Sequence, residues 1–160
     1  MFCHEGTTQY VHDRIWIGDF NTGETKNLFV QATIPGNEVN TGEPTGHEVW
    51  SMDGEYVYFI KYPMFSTNVG ISGMMRIDKD GINREYINSD YLYWHCYGSP
   101  DNNWMVADTQ EKDATAKVVL ANTNTYQSMI LADFDLIKRT PDHPHQPHPT
   151  FSPDGNIITW

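Results

Sequence analysis

The sequence predicts an all-β protein, a β-propeller of four-stranded antiparallel blades present as a partial arc of about three blades. Short apolar runs alternate with turn-forming residues, and no segment has helical periodicity. A serine-led phrase occurs three times, and its aspartates lie 48 and 53 residues apart, a blade-sized spacing. The three copies begin at Ser51, Ser99 and Ser152.

The first third of the chain predicts one hairpin followed by a loop. Residues 14–19 and 26–30 are short runs of strand-forming residues separated by the turn at 21–24. Residues 33–46 are rich in proline, glycine and polar side chains. That composition predicts a surface loop.

The rest of the chain predicts two complete blades. The first has strands at residues 48–51, 56–62, 74–78 and 83–87, with turns between them. The second repeats the order at 95–98, 104–108, 117–121 and 126–131. Strand alternation places His47, Val49 and Ser51 on one face of the opening strand.

The chain has too few residues for a closed propeller. Its 160 residues hold only about three units of roughly 50 residues each. We therefore expect residues 1–160 to form a single partial β-propeller domain, a fragment of a larger propeller. A small complete β-domain whose edges a partner covers, or a β-sandwich, is the alternative. The repeated histidine-to-serine spacing favours the propeller.

Composition argues against two classes of partner. The net charge is −11, with 21 acidic and 10 basic residues and no basic stripe, so nucleic acid is a poor partner. No apolar stretch is long enough to span a membrane, so we expect no membrane association. Cys3 and Cys96 do not form a disulfide framework, which favours a reducing compartment and a cytoplasmic location.

Three histidines occupy the same position in the repeat. His47, His95 and His148 each stand four residues before a serine of the repeated phrase. Equivalent positions in neighbouring blades face a common axis. The three imidazoles are therefore predicted to converge on one site, as metal ligands or as ligands together with a base.

Residues 141–149 carry the highest density of potential ligands. Four prolines stiffen this segment, which also contains His143, His145, Gln146 and His148. A rigid segment loses little entropy when it binds a ligand, although a histidine- and proline-rich loop without a ligand is an equal alternative by itself. Together with His95, the metal site is favoured. Imidazole and amide donors suit a divalent ion such as Mn²⁺, and the lack of a thiolate argues against structural zinc.

Two further residues remain ambiguous from the sequence. His47 is consistent with a fourth ligand, a general base or a structural histidine, since an imidazole with a pKa of ~6.5 is a usable base at neutral pH. Arg14 begins a predicted strand, and the simplest interpretation is a surface ion pair with Asp13 or Asp19.

These residues occur in an order that resembles the oligogalacturonate lyases. The segments are His4-Glu-Gly, Arg14-Ile-Trp, Gly46-His-Glu-Val-Trp, His95 before Ser-Pro-Asp, and His148-Pro-Thr-Phe-Ser-Pro-Asp-Gly. The resemblance covers essentially all of the chain and corresponds to the C-terminal half of that family. It implies a seven-bladed propeller that cleaves short galacturonate oligomers from pectin by β-elimination, with Mn²⁺ as cofactor and an oligogalacturonide as its partner.

The same resemblance implies roles for individual residues. His47 corresponds to the base, and Arg14 to the group that assists the leaving oxygen; Arg14 and His4 correspond to substrate contacts. The implied metal ligands are His95, His143, Gln146 and His148. The family pattern is Gln-x-x-His-x-His, so this chain exchanges the two donor types at 143 and 146. A non-catalytic sugar- or protein-binding propeller and a metal-dependent hydrolase of another sugar are the alternatives.

Overall fold

The computed structural model describes residues 2–3, 11–34, 37–63, 71–109, 115–135, 138–140, 143–144 and 146–160. Side chains are described over 11–34, 42–63, 71–109, 116–133 and 146–160. Within these ranges the regular structure consists of β-strands alone. The same ranges contain no helix that is long and apolar enough to cross a membrane.

Two four-stranded antiparallel sheets form the centre of the molecule. The first, blade B, has the order β6-β7-β8-β9, with strands Thr45–Trp50, Tyr56–Lys61, Gly73–Asp78 and Arg84–Asn88. The second, blade C, has the order β10-β11-β12-β13, with strands Tyr93–Gly98, Trp104–Thr109, Thr115–Asn122 and Ser128–Asp135. Successive strands pair in sequence order, as in a propeller blade.

Smaller sheets flank these two blades. Blade A is a three-stranded sheet of β1 (Phe2–Cys3), β2 (Ile15–Gly18) and β3 (Thr25–Asn27). The beginning of blade D is the pair β16 (Thr150–Phe151) and β17 (Ile158–Thr159). A further pair comprises β14 (Lys138–Thr140) and β15 (His143–Pro144). The predicted all-β architecture of four-stranded blades is confirmed, and so is the first hairpin.

The prediction of a plain surface loop at residues 33–46 was wrong. Part of this segment forms an antiparallel pair, β4 (Thr33–Ile34) with β5 (Asn37–Thr41), and β6 begins at Thr45. The Gly42 backbone N–H closes the pair by donating to the Ala32 carbonyl at 2.7 Å. Turn-forming residues break a long strand but still permit a short ladder between them.

The repeated serine-led phrase is a structural turn. In each copy the serine Oγ donates to the aspartate two residues later, at 2.7 Å from Ser51 and 2.6 Å from Ser99 and Ser152. The backbone N–H of each serine also donates, at 2.8 Å, to the carbonyl of the residue five positions later. These bonds close the turn between the first and second strands, so the repeat marks where each blade begins.

Blade B is buried on both faces, and its two faces belong to different hydrophobic clusters. Val57 and Phe59 of β7 pack with blade A residues such as Ile15 and Phe29. The alternate residues of β7, Tyr58 and Ile60, pack against blade C. Since strand side chains alternate between faces, a continuous apolar run is the pattern expected for a strand covered on both sides. The blades are therefore stacked face to face.

Blades B and C are in close contact where Gly98 meets Tyr58. A β-carbon built on Gly98 would lie 2.1 Å from Cε2 of the Tyr58 ring, which no real side chain tolerates. Tyr58 is fully buried, and its hydroxyl donates to Asn102 Oδ1 at 3.0 Å. Asn102 Nδ2 in turn donates to Asp53 Oδ2 at 2.6 Å. Glycine at position 98 therefore leaves the space for an aromatic ring that links the two blades.

Gly98→Ala is expected to lower the free energy of unfolding by ~1–3 kcal/mol, the usual cost of overpacking a tight core. The ring of Tyr58 would have to move away from its hydrogen-bond partner, and a urea titration followed by tryptophan fluorescence measures the loss. In a Tyr58→Leu background the same substitution should cost less, because the clashing ring is absent. Equal costs in both backgrounds would contradict this account.

Candidate functional site

The three predicted histidines meet in space. His47 lies in β6, His95 in β10, and His148 two residues before β16, so each lies in or just before the opening strand of a successive blade. The ring centroids of His47 and His95 are 4.3 Å apart with an edge-to-face geometry. Those of His95 and His148 are 3.5 Å apart and stacked, with 29° between the ring planes. The blade repeat thus predicted this convergence.

The backbone at each histidine departs from regular strand geometry. One extra residue is inserted in β6 between the pairs Gly46–Ile60 and Val49–Tyr58, and another in β10 between Tyr93–Thr109 and Cys96–Ala107. These are β-bulges, which redirect a side chain. His47 and His148 also have positive φ values of 57° and 49°, which are uncommon for residues with a β-carbon. Such strained positions occur preferentially at functional sites.

The bulge corrects one expectation from strand alternation. His47 was predicted to share a face with Val49 and Ser51, but the extra residue interrupts the alternation between His47 and Val49. His47 is consequently exposed toward an open cavity while Ser51 is buried in the turn. Side chains alternate between the two faces of a strand only as long as no extra residue interrupts the pairing with the neighbouring strand.

Asp108 joins two of the histidines and was not singled out by the sequence. Its carboxylate is 1% exposed. Oδ1 accepts from the His95 backbone N–H at 2.7 Å, and Oδ2 lies 2.9 Å from His95 Nδ1. Oδ2 also accepts from the His148 backbone N–H at 3.0 Å. The signal available in the sequence was a charged residue inside the apolar run of β11, since a fully buried carboxylate occurs almost only with partners.

Burial and neighbouring charges favour the neutral forms of His47 and His148. Burial by neighbouring atoms, and then the repulsion of a nearby His95, lower the pKa of His47 to about 4, although Asp108 acts in the opposite direction. Burial and His95 also lower the pKa of His148. Three imidazoles in contact cannot all carry a proton, because like charges at this separation repel strongly.

Arg14 lies beside the cluster and pairs with Glu48. Its Nε donates to Glu48 Oε1 at 2.6 Å, and both side chains are largely buried. The expected surface ion pair of Arg14 with Asp13 or Asp19 was wrong, because Arg14 points inward between blades A and B, where Glu48 of β6 meets it. The Gln31 side chain fixes the backbone of Arg14 by accepting from its N–H at 2.9 Å. Sequence analysis missed Glu48 and Gln31.

A cavity of about 280 Å³ opens over the histidines. It is lined by consecutive residues of three blades: His47, Glu48, Val49, His95, Cys96, Tyr97, His148, Pro149 and Thr150. His47, which could act as a base, and Glu48, which pairs with Arg14, therefore line the same cavity. Trp94 and Tyr62 stand behind His47, with ring centroids 5.6 Å and 6.2 Å from its own.

Only some of the remaining predicted ligands lie within the described residues. Gln146 is half-buried, and the backbone of His143 lies in β15, but the His143 side chain is outside the described residues. His4 and His145 also lie outside them. Among the described residues no group of three His, Cys, Asp or Glu side chains stands at metal-ligating positions.

The donor chemistry around Asp108 nevertheless fits a divalent ion. A carboxylate that accepts from the Nδ1–H of a histidine leaves Nε2 as a lone-pair donor, the arrangement that orients histidine ligands in metalloproteins. The parallel stack of His95 and His148 is not a ligand geometry, because rings that bind one ion radiate from it. The two rings would have to separate on binding.

The low pKa of His47 predicts how the ring titrates. Its Cε1–H resonance should shift with a midpoint at about pH 4, below the ordinary value of ~6.5. Because the folded-state pKa is lowered, the unfolded chain binds the proton first. The stability contributed by neutral His47 is therefore complete above ~6.5 and decreases as the pH falls toward about 4. A titration followed by NMR, with His47→Gln to assign the signal, would refute this if the midpoint were ordinary.

Comparison with solved structures identifies the fold. An oligogalacturonate lyase in complex with manganese matches with a TM-score of 0.76 and 22% identity, over 98% of this chain and 39% of that chain. An oligogalacturonate lyase from Vibrio parahaemolyticus matches with a TM-score of 0.70 and 22% identity, over 98% and 40%. TolB from Acinetobacter baumannii matches with a TM-score of 0.60 and 15% identity, over 92% and 32%.

No known family profile and no curated protein sequence matches the chain. The chain spans 39% and 40% of the length of the two lyase chains, and its identity to both is 22%. Likeness at this level of identity establishes architecture. The chain thus has the β-propeller fold that the oligogalacturonate lyases and TolB share.

Proposed function

We propose that the chain is part of an oligogalacturonate lyase that cleaves short galacturonate oligomers by metal-assisted β-elimination. In this proposal residues 1–160 form one partial propeller domain of a larger, seven-bladed propeller that acts in the cytoplasm. The observation that carries it is the meeting of His47, His95 and His148 on the opening strands of three blades, beside the buried Arg14–Glu48 pair. The likeness to lyase structures over 98% of the chain supports it.

His47 is proposed as the base that removes the proton next to the uronate carboxylate. Its side chain lines the cavity and is exposed there. The lowered pKa keeps its imidazole neutral at pH 7, so a lone pair is available to accept a proton. Contact with Trp94 and with His95 limits the ring orientations that the bulge allows. A fixed base close to its proton lowers the entropic part of the barrier.

Arg14 is proposed to assist departure of the glycosidic oxygen and to bind the substrate. The Arg14 charge contributes to the low pKa of His47, which places the two groups within electrostatic reach of each other. Glu48 accepts from the Nε–H and so orients the guanidinium, while Gln31 accepts from the backbone N–H and fixes the main chain from which the side chain extends. A preorganised cation close to developing negative charge stabilises that charge.

His95 and His148, with His143 and Gln146, are proposed to hold Mn²⁺. The ion, when bound, would neutralise the uronate carboxylate and so favour loss of the neighbouring proton. Imidazole and amide oxygen are suitable donors for such an ion, and the exchanged order at 143 and 146 keeps their number. His4 is proposed as a further contact for the oligogalacturonide.

The overall charge opposes a polyanionic substrate, so the local cations must compensate. The chain carries −11, and this repulsion acts over a Debye length of ~8 Å at physiological salt. The Arg14 guanidinium and the ion proposed for the channel supply positive charge inside the cavity. A β-elimination needs no attacking nucleophile, which distinguishes it from the alternative of a metal-dependent hydrolase acting on another sugar.

His47→Ala is expected to reduce kcat for the cleavage of trigalacturonate by ~10²–10⁴-fold, the usual contribution of a general base. Elimination creates a carbon–carbon double bond, so the rate is followed by its ultraviolet absorbance in the presence of Mn²⁺. His12→Ala is the matched control, because it removes an imidazole that does not line the cavity.

Three outcomes separate the candidate functions. Products with the new absorbance, lost in His47→Ala and kept in His12→Ala, support the lyase. Cleavage without that absorbance indicates a hydrolase. Binding of trigalacturonate without cleavage, unchanged in His47→Ala, indicates a sugar-binding propeller and contradicts the proposal.

His148→Ala is expected to lose bound Mn²⁺, because it removes one proposed donor without altering the buried contacts of His95 with Asp108. Elemental analysis after loading and desalting should find a stoichiometric ion in the unaltered protein and a much reduced amount in the variant. Asp154→Asn is the control, since this exposed carboxylate belongs to the turn of the same blade. Equal metal content in all three proteins would remove His148 from the ligand set.

A further inference from the structure

One buried carboxylate contacts two of the three cavity histidines, and these histidines belong to different blades. Asp108 lies in β11 of blade C, where the neighbouring Met105, Val106 and Ala107 are fully buried apolar residues. A carboxylate in such surroundings requires several hydrogen bonds to offset its loss of water. Asp108 obtains them from the backbone and ring of His95 and from the backbone of His148.

The hydrogen-bond inventory at Asp108 determines the tautomer of His95. Two of the groups that face the carboxylate are backbone N–H donors, and an ionised carboxylate can only accept. The third group is His95 Nδ1, at 2.9 Å from Oδ2 and 3.1 Å from Oδ1. In a neutral imidazole this nitrogen must carry the proton to make a favourable contact. The Nε2 atom then has an unprotonated lone pair.

The same carboxylate supports the unusual backbone at His148. The His148 residue has a φ of 49°, a conformation that costs free energy for a residue with a β-carbon. The bond from its N–H to Asp108 Oδ2, 3.0 Å long, opposes relaxation of this conformation. Blade D contacts β10 of blade C through β16, which begins two residues after His148. Asp108 therefore couples the position of His148 to that of His95.

We propose that Asp108 is the positioning residue of the site: it holds His95 in the tautomer whose Nε2 accepts a metal ion, and it holds the backbone of His148 beside it. The metal part of this inference rests on the proposed function. The tautomer and backbone parts concern the chain alone, and they can be measured in the absence of metal and substrate.

Asp108→Asn is the sharpest variant because it preserves the shape of the side chain. An amide has one accepting oxygen and one donating NH₂ group, so it cannot accept from both backbone N–H groups and the ring. When the NH₂ group faces the ring, His95 Nδ1 becomes the acceptor and the proton resides on Nε2. The variant should therefore populate the tautomer that cannot bind an ion through Nε2.

The decisive measurement is ¹⁵N NMR of histidine-labelled protein without metal, at ~pH 8, above the usual imidazole pKa of ~6.5. The unaltered protein should show His95 with a protonated Nδ1 and an unprotonated Nε2. Asp108→Asn should show the other tautomer populated, and its dissociation constant for Mn²⁺ should rise by ~10–100-fold. Assignment uses His95→Gln, and circular dichroism verifies that each variant is folded.

Asp101→Asn is the matched control. It is the same substitution in the same blade, but Asp101 accepts from Ser99 and Asn103 in the exposed turn, away from the histidines. It should leave both the tautomer and Mn²⁺ affinity unchanged. The unaltered protein alone tests the proposal if Asp108→Asn does not fold.

Two results would overturn the inference. One is a His95 spectrum in the unaltered protein with the proton on Nε2, or with both ring nitrogens protonated. The other is a tautomer that is the same in folded Asp108→Asn as in the unaltered protein. A correct tautomer combined with no elimination of trigalacturonate would instead contradict only the proposed function.

Discussion

The face-to-face packing of blades B and C positions the strands that carry the candidate site. Tyr58 of one blade fills the space that Gly98 leaves in the other, and its hydroxyl continues into the Asn102–Asp53 link. This contact packs β10 against β7, and β7 pairs with β6. Strands β6 and β10 carry His47 and His95, whose ring centroids are 4.3 Å apart.

The bulges and the buried ion pair convert this scaffold into a site. A regular strand at β6 would have kept His47 in alternation with its neighbours, whereas the extra residue turns the ring toward the cavity. Glu48, in the same bulge, forms a buried ion pair with Arg14 of the preceding blade. Breaking a buried pair of this kind typically costs ~3–5 kcal/mol, because one charge is left without a partner. The bulge in β6 thus turns His47 toward the cavity and, through Glu48, orients the Arg14 guanidinium.

Asp108 and the Arg14–Glu48 pair are two buried supports of the same histidine cluster. Asp108 contacts His95 and His148, and the Arg14 charge acts on His47. Both carboxylates are buried and both are satisfied by specific donors, so neither side can relax without exposing an unpaired charge. Rigid supports of this type are what a reaction requires when its groups must be held close to a productive geometry.

Local periodicity and equal spacing along the chain were sufficient to predict the all-β class, the blade repeat and the meeting of His47, His95 and His148. The pairing of Arg14 with Glu48, the hairpin within residues 33–46 and the contact of Asp108 with two histidines arise from folding and had no such signal. Arg14 and Glu48 are 34 positions apart, and Asp108 and His148 are 40 apart. Contacts at such separations depend on how blades pack and where a strand bulges, and neither leaves a local pattern in the chain.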